Sequence, residues 1–142
     1  MTNRPLAHHL YELTILEGHL DTFGHVNNAA YLSILEEARW DMISSKGFGI
    51  PDILKTRIGP TILEIQIRFK KEIKLREKVS IESHTVSYEK KIAKLVQLIK
   101  NRDGEICTEA ELTIALFDTK ARKLILPTPE WLNAIGWKEK ND

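Results

Sequence analysis

Asp21, Gly24 and His25 crowd into one short stretch, and Asn27 and Asn28 follow directly. A carboxylate, a position without a side chain and an imidazole in one loop are parts from which an attack on a carbonyl can be built. The loop runs into a helical pattern, and the first turn of a helix leaves backbone N–H groups unpaired and gathers about half a positive charge. A carbonyl held there would have its developing oxyanion stabilised, typically the largest single term in acyl transfer. Gly24 lets the backbone approach a ligand closely, and Asp21 can then face the carbonyl carbon. An unperturbed aspartate has a pKa of about 3.9 and is a poor base for water near neutrality. Two routes are open: a pKa raised by burial and a general-base role, or direct attack through a mixed anhydride. The plainer reading is a turn, since Asp and Gly sit where turns favour them.

The elements around this loop are legible from periodicity. Tyr11, Leu13 and Ile15 alternate with Glu12 and Thr14 in a predicted strand, Tyr11–Leu16. Gly18–Asn28 reads as a loop. Ala29–Lys46 has a helical period, with Tyr31, Leu32, Leu35, Ala38, Met42 and Ile43 on one stripe. Asn28 suits its cap and Gly47 its end. After Gly59-Pro60 the period changes to two, with a strand over Leu63–Phe69, another from Val79 towards Val86, and a third over Ile92–Ile99. The turn Asn101-Arg102-Asp103-Gly104 leads into the alternation Ile106, Thr108, Ala110, Leu112, Ile114, Leu116. A short strand, Leu124–Leu126, precedes Thr128-Pro129-Glu130, which opens a last helix that Gly136 stops. A run of strands after one long helix predicts an α+β domain over residues 1–142, an antiparallel sheet of about five strands wrapped around the helix. Such a sheet leaves edges and a face to protect, which predicts a homo-oligomer.

The pattern Asp-x-x-Gly-His-Val-Asn-Asn-x-x-Tyr from Asp21 to Tyr31, with Glu36-Glu37-Ala38-Arg39 on the helix, resembles the 4-hydroxybenzoyl-CoA thioesterase group of hot-dog-fold acyl-CoA thioesterases. The resemblance implies the hot-dog fold and hydrolysis of an acyl-CoA thioester to CoA and a carboxylate. It implies catalytic roles around Asp21, Gly24 and His25, a substrate contact at Asn28 and a place for Tyr31 near the acyl pocket. Plant acyl-ACP thioesterases share the His-Val-Asn-Asn, so an acyl-ACP substrate is the alternative, and a non-hydrolytic acyl-CoA-binding module is the reading from another class. Where the plant enzymes resemble Asp-x-Asn-x-His, this chain has Phe23, so an Asn–His partnership does not carry over.

Each residue also has a plainer reading. His25 can equally be a capping or buried hydrogen-bonded histidine, and Tyr31 lies on the apolar stripe as a core residue. Arg39 falls inside that stripe and Glu36 at its border. They read as a structural or interface ion pair, with a catalytic Glu36 as the rival. Glu37 and Asp41 fall on the opposite, solvated face. The phosphates of CoA need cations, for which Lys90, Lys91 and Lys94 are candidates, as are Arg68, Lys70 and Lys71.

Composition narrows the rest. A formal net charge of +1 on 142 residues argues against nucleic acid. No run approaches the roughly 18 apolar residues of a membrane span, and Met1–Leu10 lacks the apolar core of a secretion signal. A single cysteine, Cys107, excludes an internal disulfide and suits the cytoplasm. His8 and His9 lack a third ligand at zinc spacing, so neither metal nor other cofactor is assigned. The partners implied are an acyl-CoA substrate and further copies of the chain, as a dimer or tetramer.

Overall fold

A computed structural model describes residues 8–138; the predicted lead-in before His8 and the outer domain bounds lie outside the described residues. Strand β1 (His9–Thr14) is followed by a 3-10 turn at Glu17–His19, the long helix α1 (Asn28–Ser44) and a short helix α2 (Ile50–Thr56). Then come β2 (Ile58–Phe69), β3 (Lys78–Glu89), β4 (Ile92–Lys100), β5 (Ile106–Asp118), the short β6 (Lys123–Ile125) and α3 (Pro129–Ala134). The sheet has six strands, in the order β1-β3-β4-β5-β2, with β6 on β5 just past the end of β4. All pairings are antiparallel. About five strands were expected and six are found, the short strand predicted at Leu124–Leu126 being β6, at Lys123–Ile125.

The inward face of the sheet is Val79, Ile81, Leu95, Ile99, Ala110, Leu112, Ile114 and Leu116, all buried. Against it lies the stripe of α1: Tyr31, Ile34, Leu35, Ala38, Met42 and Ile43. Ile34 takes the place predicted for Leu32, which is 42% exposed. At about 100° per residue the two lie on opposite flanks of the stripe. The flank with Ile34 is closed by β1, whereas Leu32 faces the side of β2, the last strand of the sheet. Glu37 and Asp41, predicted to be solvated, tie α1 to β1: Tyr11 donates its hydroxyl to Glu37 Oε2 and His9 Nε2 meets Asp41 Oδ2, both at 2.7 Å.

Helix α2 was not anticipated, although its signals are local. Pro51 stands in its first turn, and Asp52 accepts the N–H of Gly49 at 3.0 Å. It packs on the start of β2 so closely that a Cβ at Gly59 would come within 2.9 Å of Ile53. At the other end of the chain, Thr128 caps α3 through the N–H of Trp131, and Gly136 closes it at φ +70°, as expected. Trp131 is buried against Phe48 and donates its indole N–H to the Tyr88 hydroxyl.

Candidate active site

Register decides what stands at each end of the sheet. Thr14 pairs with Lys78, Ser80 with Lys100, and Phe69 with Thr108, so one end gathers the β1 exit, the β4–β5 turn and the end of β2. α1 runs antiparallel to both β1 and β2, which brings its N-terminus, and with it the loop of Asp21, to this same end. Tyr31 marks the place, stacked edge-on against Phe69 with ring centres 4.7 Å apart. Tyr31 is buried, as its position on the apolar stripe requires, and burial pushes its phenol pKa up. Phe69 is 52% exposed and forms an open wall beside it.

The loop itself is a closed turn. Asp21 donates its N–H to the carbonyl of His25 at 2.7 Å, and Gly24 donates to the carbonyl of Asp21 at 3.1 Å. Gly24 sits at φ +81°, a left-handed conformation that favours glycine, and a Cβ there would meet no other atom. Asp21 Oδ1 accepts the N–H groups of Phe23 at 2.9 Å and His25 at 3.1 Å. The turn reading and the catalytic reading of Asp21 are therefore compatible: one carboxylate oxygen holds the loop, and Oδ2 has no hydrogen bond among the described residues. Phe23, in the middle of the turn, is 84% exposed.

The cap of α1 is Asn27 and not Asn28: Asn27 Oδ1 accepts the N–H of Ala29 at 2.8 Å, and the Asn27 carbonyl takes those of Ala30 and Tyr31. Sequence alone could not separate two adjacent asparagines, either of which suits a cap. The consequence is chemical. The expected set of free N–H groups shrinks to that of Asn28, which meets no acceptor among the described residues.

His25 is neither a cap nor buried. Its side chain is 64% exposed, with Nε2 3.8 Å from Glu72 Oε1. Glu72 lies just past β2 and carried no signal in the sequence, because Lys70-Lys71-Glu72 reads as an ordinary charged turn. Lys70 and Lys71 are engaged with Glu109 and Glu105.

Glu36 and Arg39 are not the pair expected. Arg39 instead donates from Nη1 to Gln97 Oε1 at 2.9 Å, and Glu36 acts on it only through longer-range charge. Both line a cavity of about 200 Å³ between α1, α3 and the sheet. Burial pulls the Arg39 pKa below its ordinary value. A buried glutamine as the partner was not foreseen, since Gln97 reads in sequence as one more polar residue in an ambiguous strand.

Lys90, Lys91 and Lys94 do cluster, in an open groove with Ser87, Leu124 and Leu126. They are at the wrong end for their own Asp21: β3 separates Lys78 from Glu89 by about 36 Å at ~3.3 Å per residue.

A long helix laid in the curve of an antiparallel sheet is the hot-dog fold of thioesterases. Residues 16–135 match the family model of the thioesterase-like superfamily, and the chain belongs to that family. It is 31% identical over 108 residues to the long-chain acyl-CoA thioesterase FadM of Escherichia coli, covering 75% of this chain and 81% of that one. Among solved structures, the probable thioesterase YbaW of Escherichia coli is 27% identical with a TM-score of 0.78, covering 89% of this chain and 95% of that one. SAV2348 of Staphylococcus aureus, solved in complex with CoA, shares the fold at a TM-score of 0.83 and 15% identity, covering 95% of this chain and 86% of that one. Among the described residues no helix is long and apolar enough to cross a membrane.

Proposed function

We propose that this thioesterase hydrolyses acyl-CoA, releasing CoA and a carboxylate, with Asp21 as the residue that attacks or activates water. The observation that carries the reading is the Asp21 carboxylate. Two backbone N–H groups hold one of its oxygens, and the other has no partner among the described residues, in the loop that enters α1. In this reading the thioester carbonyl sits against the start of α1, where the N–H of Asn28 stabilises the oxyanion. Gly24 keeps the loop in its left-handed turn, His25 with Glu72 lines the entrance, and Tyr31 with Phe69 forms the wall for the acyl group. Asn28 is thus a substrate contact through its backbone. Similarity to a long-chain acyl-CoA thioesterase, and a related fold solved with CoA, support CoA as the carrier over acyl-ACP.

The working unit we propose is a homodimer of single-domain chains joined along β2. That strand is one edge of the sheet, opposite β1, and exposes Ile62, Leu63, Ile65 and Phe69 at 38%, 48%, 36% and 52%. The outer face of the sheet carries charges instead, such as the pair Lys100–Glu82 at 3.0 Å, which argues for edge over face. Antiparallel pairing of two β2 edges would set the Ile58 end of one subunit beside the Phe69 end of the other. The Lys90 and Lys91 of one subunit would then serve the CoA phosphates at its partner's Asp21. The buried, unpaired Cys107 suits a cytoplasmic location. Release of free thiol from a panel of acyl-CoAs, against the same acyl groups on a carrier protein, tests the reading. Turnover of CoA thioesters is expected; binding without release of thiol would replace the enzyme by a binding module.

A further inference from the structure

We propose that Arg39 is a specificity residue, one that reads a neutral oxygen on the acyl group away from the thioester carbonyl. The proposal rests on the thioesterase reading above and adds to it the class of acyl group.

The cavity of about 200 Å³ is walled mainly by apolar side chains, among them Met42, Ile43, Leu95, Ile114 and Trp131. Its charged groups are Glu36 and Arg39, both on α1. Arg39 is held there by a built network. Gln97 is fully buried, and its Nε2 donates to the Leu35 carbonyl at 3.0 Å and to Ser83 Oγ at 2.9 Å. Both amide hydrogens are thereby used, which fixes the amide orientation and turns Oε1 to Arg39 Nη1. A guanidinium has about five N–H donors. Gln97 takes one, and the others meet no acceptor among the described residues.

An acyl chain that fills this mostly apolar chamber strips water from those donors, which is costly, more so because they carry charge. An oxygen brought in by the substrate removes that cost, and the saving is realised only by substrates that have one. Glu36 on the same wall selects the kind of oxygen. A carboxylate would be drawn to Arg39 but repelled by Glu36, whereas a keto or hydroxyl oxygen accepts from Arg39 without that penalty. A hydroxyl can also donate its hydrogen to Glu36. Arg39 stands about 17 Å from Asn28 along α1 at ~1.5 Å per residue, so the group it reads is not the reacting carbonyl.

The test uses pairs of acyl-CoAs of equal chain length, one plain and one with a hydroxyl or keto group towards its far end. For the wild type, kcat/KM is expected to favour the oxygenated member by on the order of 10- to 100-fold, the worth of a hydrogen bond to a charged group. In Arg39→Met the ratio is expected to fall to near one. Equal rates in the wild type, or a preference that survives in Arg39→Met, overturn the proposal. Calorimetry of the corresponding free hydroxy acids and plain acids on the wild type needs neither turnover nor a folded variant. Tighter binding of the hydroxy acid supports the proposal even if no thioester is hydrolysed, an outcome that would defeat only the thioesterase reading. Equal or weaker binding overturns it.

Discussion

Replacing Gln97 by leucine isolates the network that holds Arg39. Gln97 is fully buried and makes three hydrogen bonds, to Arg39, Leu35 and Ser83. Leucine keeps the bulk and removes all three. The bond to the guanidinium is the largest single loss, about 1.5–3 kcal/mol for a charged partner. Ser83 loses its partner as well, and the half-buried Arg39 loses its one hydrogen bond, so a total of about 2–4 kcal/mol is expected. Arg39→Met should cost less, about 1–3 kcal/mol, because it removes the desolvated charge and leaves only the Gln97 oxygen unsatisfied. In the double variant no charge remains to be stranded. Its cost should fall short of the sum of the two single costs by about 1–3 kcal/mol. Urea denaturation of the four proteins at one fixed protomer concentration reads the cycle, since an assembly's apparent stability depends on concentration. Additivity within about 0.5 kcal/mol would refute the coupling.

Three further outcomes follow from the same structure. All three tyrosines are held above the ordinary phenol pKa, Tyr11 to about 12 by its hydrogen bond to Glu37, and Tyr31 and Tyr88 by burial. Unfolded tyrosines lose their protons near pH 10 while Tyr11 keeps its own to about 12, so stability should be intact below pH 10 and decline between those values. Phenolate absorbance during an alkaline titration checks this, and Glu37→Gln should bring one tyrosine back towards 10. Lys90→Gln with Lys91→Gln should raise the KM for acyl-CoA and flatten its rise with salt, because screening acts on the contacts removed; an unchanged salt profile would clear these lysines of the role. Leu63→Lys should convert the proposed dimer to a monomer by light scattering at sub-micromolar concentration, and a wild type that is already an active monomer there would rule out the β2 interface.

Much of this architecture could be read from period alone. The alternation of Ile106 to Leu116 and the stripe of Tyr31, Leu35, Ala38 and Met42 both report burial by a single neighbour, the other half of the core. Features that depend on a third element were not legible. Leu32 and Ile34 fit the stripe about equally, and only the presence of β1 on one flank and a sheet edge on the other separates them. The i,i+3 spacing of Glu36 and Arg39 permits a pair, but a glutamine from β4 reaches the guanidinium first. Lys90 and Lys91 were recognised as a cluster, whereas their distance from Asp21 depends on strand register. At the loop, the motif around Asp21 was visible by its residue types, yet the choice between Asn27 and Asn28 as cap rests on one residue of backbone geometry.

Asp21→Asn tests the central claim most directly. Asn Oδ1 can accept the same N–H groups of Phe23 and His25 that Asp21 accepts now, so the turn should keep its shape. What disappears is the charge and basicity of the oxygen free to act. The variant should fold and bind acyl-CoA with near-normal affinity while kcat falls by roughly 100-fold or more. A folded Asp21→Asn protein that releases thiol at close to the wild-type rate would contradict the account.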